Sequence, residues 1–254
     1  MSRQGVRTSR VVHVLSVGTV VAVLWLFATT ALAMETDGRR PLTEEEGARV
    51  AQAALAFAEV EFSVAGTVYQ GVPYMWGGRT TIDQFTAAVA NVTAGAGVTE
   101  ADVAAGDEEA VAATAPAVSP EEAYAAAVSG LGVDASGLAV NALRALGSNV
   151  RFAATPGPEP TWWADATSAL LYDYNVIHIE PTEARAGDLV FFGSTSGDKV
   201  SVSGVGIVTG RAGTRVDFVV ASARQGKVIH TFARTDGDYW QGNIIGVGRF
   251  LVRE

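Results

Sequence analysis

The heptapeptide GVDASGL, residues 132–138, marks the start of an amphipathic segment near the middle of the chain. The leucines in and after it have helical spacing: Leu138, Leu143 and Leu146. Asp134 lies at the start of this segment. A carboxylate at that position accepts hydrogen bonds from the free N–H groups of a first helical turn. Gly147 provides a stop signal after the last leucine. We therefore predict a helix over residues 134–146 with its leucines buried.

Three segments upstream of this motif also carry helix signals. Thr43 and Glu46 form a capping-box pattern followed by apolar residues at helical spacing, which predicts a helix over about residues 44–60. Apolar residues on one face predict a shorter helix over 81–92. A further helix begins at residue 119, where Ser-Pro-Glu-Glu places proline in the first turn.

The C-terminal part of the chain is rich in β-strand signals. Five segments separated by Gly-rich turns are predicted to be strands: Leu189–Phe192, Val200–Val208, Val216–Ala221, Lys227–Phe232 and Ile244–Leu251. Helices followed by an antiparallel run of strands predict an α+β fold.

The N-terminus has the pattern of an export signal. Three arginines precede an uncharged run from Val11 to Thr30, and Ala31-Leu32-Ala33 supplies a small-x-small cleavage site. We expect residues 1–33 to be a signal peptide and the mature chain to start at Met34. The alternative is an uncleaved membrane anchor, because the apolar run is nearly long enough to span a bilayer. Residues 34–43 are predicted to be a linker.

Composition excludes several classes of function. The sequence has no cysteine, so disulfides, thiolate catalysis and cysteine-ligated zinc are ruled out. Removing residues 1–33 takes away three arginines and no acidic residue, which leaves 15 basic against 27 acidic residues and lowers the net charge from −9 to −12. A surface this acidic repels nucleic acid and anionic lipid. We expect no nucleic-acid partner, and membrane contact only through an uncleaved N-terminal segment.

Four motifs in a fixed order resemble the NlpC-type cell-wall peptidases, which are papain-like cysteine enzymes that cut peptidoglycan stem peptides. They are PYMWGG at 73–78, GVDASGL at 132–138, AGDLVFF at 186–192 and SGVGIVTG at 203–210. The resemblance covers about residues 44–251. It implies a papain-like α+β domain over 44–254, with helices packed on a five- to six-stranded antiparallel sheet.

The spacing between the first two motifs departs from the family pattern. Residues 79–131 fill this gap as a helical and acidic insert. Within it, 94–118 is rich in Ala, Gly, Asp and Glu and has no aromatic residue, which favours a surface insert or a partly disordered loop.

The resemblance also locates three catalytic positions, and none of them carries a catalytic side chain here. The nucleophilic cysteine is replaced by Ala135, the strand histidine by Gly204, and the polar residue that orients the histidine by Val220. A thiolate at a helix N-terminus and a neighbouring imidazole are what the family's chemistry needs. The sequence therefore predicts no catalytic residue at these positions.

Other residues of the sequence also carry groups used in catalysis or metal binding. Ser136 stands beside the lost cysteine, but the family serine is structural and a helix cap is its simpler role. His178 and His230 do not fall where the family places its base, and two isolated histidines make a poor zinc site. Asp134 and Asp188 are a possible acid–base pair, although a helix cap and a brace for the following strand explain them as well. We expect no metal and no cofactor.

Several residues near the family's cleft are candidates for ligand contact. Tyr74 and Trp76 lie on the cleft-side loop by resemblance, Asp134 and Ser136 flank the lost nucleophile, and Trp162 belongs to a Pro- and Gly-bounded aromatic segment. Aromatic side chains along a groove hold peptide or sugar. The alternative is that they close the core beneath long loops.

Together these features predict an exported, catalytically inactive NlpC-type domain that binds a peptidoglycan stem peptide or an envelope protein. It would be periplasmic, cell-surface or extracellular. One alternative is a hydrolase with a serine-based centre. The other is a purely structural envelope protein whose cleft is filled by its own side chains.

Overall fold

The computed structural model of the chain describes residues 38–95 and 119–253. The predicted signal peptide or anchor and most of the acidic stretch at 94–118 lie outside the described residues. Within them, no helix is both long and apolar enough to cross a membrane.

The described residues contain six α-helices and eleven strands. The helices are α1 (Glu44–Glu59), α2 (Ile82–Gly95), α3 (Pro120–Ala127), α4 (Ala135–Leu143), α5 (Ser168–Tyr174) and α6 (Asp238–Asn243). The strands are β1 (Arg39–Pro41), β2 (Glu61–Val64), β3 (Thr67–Gln70), β4 (Phe152–Ala153), β5 (Trp162–Trp163), β6 (Val176–Ile179), β7 (Leu189–Ser196), β8 (Lys199–Ala212), β9 (Arg215–Ser222), β10 (Lys227–Arg234) and β11 (Ile244–Arg253).

The main sheet of this part of the chain has seven antiparallel strands. Its order is β1-β11-β7-β8-β9-β10, and β6 also pairs with β11. Two small hairpin-like sheets, β2-β3 and β4-β5, lie apart from it. The fold is α+β, as the sequence predicts.

Helices α1 and α4 pack on one face of the main sheet, and α6 packs on the other. Val50 of α1 and Leu138 of α4 join a core that contains Val205, Ile207 and Val219 from the sheet. A second apolar cluster lies on the other face, around Phe218 of β9 and Trp240 of α6. Neighbouring residues of β9 thus pack into different cores, because successive side chains of a β-strand point to opposite faces of the sheet.

All five predicted strands are present as β7 to β11. Strands β9, β10 and β11 are each two residues longer than predicted, β7 is four residues longer and β8 is five residues longer. The capping box before α1 is formed, with Glu46 N–H donating to Thr43 Oγ1 at 3.2 Å and Thr43 N–H donating to Glu46 Oε2 at 2.9 Å. Helix α4 is shorter than predicted, because its last turn tightens into a 3-10 helix over Arg144–Leu146.

The prediction of a linker over 34–43 is wrong for residues 39–41. They form β1, which pairs with the end of β11 through Arg39 opposite Arg253 and Pro41 opposite Leu251. The tripeptide Arg-Arg-Pro has no strand pattern of its own. Its conformation is set by the long edge of β11, and this pairing brings the sheet to seven strands instead of five or six.

Candidate functional site

The loop of the first motif is fastened to the start of the second. Met75 N–H donates to the Val133 carbonyl at 3.1 Å, and Val133 N–H donates to the Pro73 carbonyl at 3.1 Å. Thr80 N–H donates to the Gly132 carbonyl at 3.1 Å. These backbone bonds fix the loop at 73–80 against the N-terminus of α4.

Two glycines allow this close contact. A Cβ atom on Gly137 would overlap the carbonyl oxygen of Gly78, and one on Gly78 would overlap the carbonyl of Gly132. Any larger residue at either position would push the loop away from the helix. The glycines in the two motifs are thus explained by the packing of the loop on α4.

Asp134 caps α4 as predicted and also holds the loop. One carboxylate oxygen accepts from Gly137 N–H at 2.6 Å, and the other accepts from Gly77 N–H at 3.0 Å. The same carboxylate forms an ion pair with Arg79, whose Nη1 donates at 2.8 Å. Ser136 Oγ donates to it at 2.9 Å.

Arg79 is a site residue that the sequence analysis missed. Its Nη2 donates to Ser136 Oγ at 3.0 Å, and its Nε donates to the Asp165 carboxylate at 3.0 Å. It therefore joins the loop, α4 and the segment before α5. Its position directly after PYMWGG is the only signal in the sequence, because Asp134 and Asp165 are distant along the chain.

The three positions that the family resemblance assigns to catalysis lie together around one cavity of about 310 Å³, here called the neutral cavity. Ala135 is the first residue of α4, Gly204 lies on β8 and Val220 lies on β9. The Cβ of Ala135 is 3.8 Å from the point where a Cβ on Gly204 would be. The other lining residues are Tyr74, Phe192, Gly193, Ser203, Ala221, Ser222, Ala223, Tyr239 and Asn243.

No lining residue of the neutral cavity is an Asp, Glu, Lys, Arg or His. Its hydroxyl groups come from serine and tyrosine. Burial, and then the negative charge of Asp134, raise the pKa of Tyr74 above its ordinary value of 10.0. This phenol therefore stays protonated at neutral pH. The cavity offers no group that accepts a proton readily near pH 7.

A β-bulge shapes the wall of this cavity. Phe192 pairs with Gly204, but the next residue of β7, Gly193, pairs with Val202, so Ser203 is left over on β8. Bulges of this kind redirect side chains and are common beside active sites. Ser203 lines the neutral cavity and also its neighbour.

The neighbouring cavity, of about 340 Å³, holds most of the predicted ligand contacts and is called the polar cavity. Its lining residues are Tyr74, Trp76, Arg79, Asp134, Ala135, Ser136, Thr167, Ser168, Ala169, Val202 and Ser203. Trp76 is 86% exposed. Tyr74, Ala135 and Ser203 line both cavities, so the two adjoin beside the first residue of α4.

Trp162 does not join the other predicted contact residues. It lines neither cavity, and the guanidinium groups of Arg253 and Arg39 lie 4.7 Å and 5.6 Å from its ring centre. Residue spacing predicts that a tryptophan is partly exposed, but not which side of the fold it faces.

The remaining candidates for chemistry also lie outside both cavities. His178 packs on Tyr172, and desolvation lowers its pKa, while His230 Nε2 lies 2.9 Å from Thr209 Oγ1. Asp188 is buried and bonded to both Nε and Nη2 of Arg249. Over 38–95 and 119–253, no group of three or more His, Cys, Asp or Glu residues could hold a metal.

Comparison with known proteins finds likeness among solved structures. No family model matches the sequence, and no curated protein does. A solved structure from Staphylococcus aureus subsp. aureus Mu50, described as similar to a lipoprotein of the NLP/P60 family, has 20% sequence identity and a TM-score of 0.40. The match covers 84% of this chain and 43% of that chain, so this chain spans less than half the length of that protein.

Proposed function

We propose that this chain is an exported, catalytically inactive NlpC-like domain whose cleft binds a cell-wall peptide or an envelope protein. The observation that carries the proposal is the meeting of Ala135, Gly204 and Val220 around one cavity. The motifs that identify these positions lie far apart in the sequence. Thiol chemistry requires the nucleophile and its base to lie side by side, so their meeting supports the resemblance.

The side chains at these positions explain why catalysis is not expected. They present a methyl group, a hydrogen and an isopropyl group, and no charged residue lines the cavity. A general base must lie within hydrogen-bonding reach of the proton it takes. Loss of a nucleophile from such a unit lowers turnover on the order of a millionfold.

A serine-based centre is the second candidate, and the contacts of Ser136 argue against it. Its hydroxyl donates to Asp134 and accepts from Arg79 Nη2. A nucleophilic oxygen needs a free lone pair that points at the substrate and a base to take its proton. Here one of the two lone pairs accepts from the Arg79 guanidinium. The carboxylate that would have to take the proton caps α4 and pairs with the same guanidinium, which makes it a poor base.

The open cleft favours ligand binding over a purely structural role. A structural protein is expected to fill a disused cleft with its own side chains, whereas cavities of about 310 and 340 Å³ remain on either side of Ala135. Trp76 stands beside them with 86% of its surface exposed. An exposed aromatic ring next to a groove is a common contact for peptide or sugar.

Export is the part of the proposal that rests on sequence. Its support is the basic, apolar and small-residue pattern of residues 1–33. N-terminal sequencing of the extracellular or periplasmic form should find a start at or near Met34. An intact Met1 in the membrane fraction would mean that the segment is an anchor.

The function is tested by incubating the purified mature chain, residues 34–254, with isolated peptidoglycan. Cosedimentation measures binding, and mass spectrometry of the supernatant measures released peptides. We expect binding without release. Release that disappears in a Ser136→Ala variant would support the serine centre instead. Absence of both binding and release would exclude peptidoglycan as the ligand.

A further inference from the structure

The neutral cavity has an unusual charge environment for an acidic protein. The whole chain carries 27 acidic and 18 basic residues, yet none of them lines this cavity. Moving an ionised group from water to such a place is costly, because no opposite charge compensates for its lost hydration. The cavity therefore offers a charged occupant no ion pair in return for the hydration that it gives up.

Aromatic and aliphatic side chains line much of the cavity, beside polar groups from Ser203, Ser222 and Asn243. Tyr74, Phe192 and Tyr239 contribute aromatic surface, and Ala135 and Val220 contribute aliphatic surface. The volume of about 310 Å³ is at the lower end of the range of about 300–1,000 Å³ that is typical of ligand pockets. It is sufficient for one amino-acid side chain and too small for a whole peptide.

The cavity has space at its floor because residue 204 is a glycine and has no side chain. A Cβ atom there would have Phe192 Cδ2 at 3.7 Å and Ala135 Cβ at 3.8 Å as its nearest neighbours, which is ordinary van der Waals contact. A side chain would fit at this position without displacing the backbone. Its absence leaves room that an occupant from outside can fill.

The junction of the two cavities offers polar groups for a peptide backbone. Ser203, at the bulge, lines both cavities and is exposed. Within the described part of the chain its hydroxyl bonds to no other protein group, so it is available to a ligand. Asn243 lines the neutral cavity and uses its amide nitrogen to bond the Tyr239 carbonyl at 3.0 Å.

We propose that the neutral cavity is a subsite for one uncharged aliphatic side chain of a bound peptide. The peptide backbone crosses the junction at Tyr74, Ala135 and Ser203, and its next residue lies against Trp76 in the polar cavity. The inference rests on the proposed function, which it deepens by naming the ligand chemistry. In this chain, Ala135, Gly204 and Val220, which stand at the family's catalytic positions, form a pocket that discriminates between peptides.

Three small probes test the charge selection directly. N-acetyl-leucinamide is neutral and aliphatic, N-acetyl-glutamic acid α-amide is anionic and N-acetyl-lysinamide is cationic. Each is titrated into the ¹⁵N-labelled mature chain, and amide chemical shifts give the affinity and the place of binding. We expect the leucine probe to bind at least tenfold more tightly than either charged probe, with shifts at residues 203–204 and 220–222. Equal affinities, or shifts confined to other regions, would overturn the proposal.

Filling the cavity from within tests its location. Gly204→Val places a branched side chain in the cavity, and valine suits a strand. The matched control is Gly210→Val, the same change on the same strand at a position with nothing within 4 Å of the added Cβ. We expect Gly204→Val to weaken binding of the leucine probe about tenfold to a hundredfold, which is what loss of a buried aliphatic side chain costs. Gly210→Val should change it less than twofold.

The outcomes separate this inference from the proposed function. If wild-type protein binds peptidoglycan and Gly204→Val binds both peptidoglycan and the leucine probe equally well, the subsite is wrong and the function stands. If Gly204→Val abolishes probe binding while wild-type protein ignores peptidoglycan, the subsite is right and the wall ligand is wrong. Gly204→Ala is a smaller change that controls for misfolding. It should give an intermediate affinity with an unfolding temperature no lower than that of wild type.

Discussion

The Cβ atom of Ala135 lies 3.8 Å from the point at which a side chain on Gly204 would begin. One residue opens a helix and the other lies on a central strand, so the contact depends on the packing of α4 on the sheet. The neutral cavity opens at this contact, between the methyl group of Ala135 and the bare backbone of Gly204.

The first prediction concerns stability at two glycines. Gly204→Ala should leave the free energy of unfolding unchanged or raise it by about 0.4–1 kcal/mol, because the site has room and alanine restricts the unfolded chain. Gly137→Ala should lower it by about 1–3 kcal/mol or more, since the new Cβ overlaps the Gly78 carbonyl. Denaturant unfolding of both variants measures the difference. Equal effects would mean that the contact between the loop and α4 is not rigid.

The second prediction concerns Asp134 as a structural group. Asp134→Ala removes the cap of α4 and the partner of Arg79, and should destabilise the fold by about 1–3 kcal/mol. Asp165→Ala removes an exposed partner of the same arginine and the acceptor of the Ala166 N–H, and should cost at most about 1 kcal/mol. Thermal and denaturant unfolding distinguish the two. A smaller effect at Asp134 than at Asp165 would contradict the assigned network.

The third prediction concerns acid stability. The hydrogen bond from Arg40, helped by bonds from Thr43, lowers the pKa of Glu46 from 4.5 to about 2. A carboxylate with a lowered folded-state pKa stabilises the fold fully above the unfolded value, and this contribution is lost as the pH falls from about 4.5 to about 2. Glu46→Gln should therefore be less stable than wild type at pH 7, and the difference should shrink below pH 4.5. A constant difference between pH 7 and pH 2.5 would exclude this linkage.

The fourth prediction compares two exposed tryptophans. Trp76→Ala should weaken peptidoglycan binding about tenfold, as expected when an aromatic contact is truncated. Trp163→Ala is the matched control, because Trp163 is 52% exposed and lines neither cavity. Both variants should keep the wild-type unfolding temperature. Similar losses of binding in both variants would show that contact is not confined to the cleft.

The sequence predicted the elements with strong local signals. Strands β7 to β11 alternate between two cores and are separated by glycines, and α1 has its capping box. The β2-β3 hairpin was missed because its turn is Ala65-Gly66, with Ala65 at a φ of 50°, where Asn-Gly is the usual signal. Helix α6 was missed because six residues carry too little periodicity.

The candidate site was predictable only in part. Motif resemblance located Ala135, Gly204 and Val220, and the structure brings them together. The role of Arg79 depends on partners far away in sequence, so no local pattern shows it. Trp162 was recognised in the sequence as an aromatic residue, but its place in the fold was not. Its distance from the cleft follows only from the pairing of β4 with β5 and of β1 with β11.

A fifth prediction concerns restoring the catalytic side chains. The triple variant Ala135→Cys, Gly204→His and Val220→His should not gain ready activity on peptidoglycan, because the groups that orient a catalytic dyad must also be in place. The neutral cavity offers no charged partner for a new imidazole. Rapid release of peptides by the triple variant would show that the rest of the site is still suited to catalysis.

The central claim is that the cleft binds wall peptide without cutting it. The most direct test is calorimetric titration of the mature chain with a purified stem peptide, followed by mass spectrometry of the recovered peptide after prolonged incubation. We predict measurable binding, intact peptide, and weaker binding by Tyr74→Ala than by Ala135→Gly. Cleaved peptide, or no heat of binding at any peptide concentration, would contradict the claim.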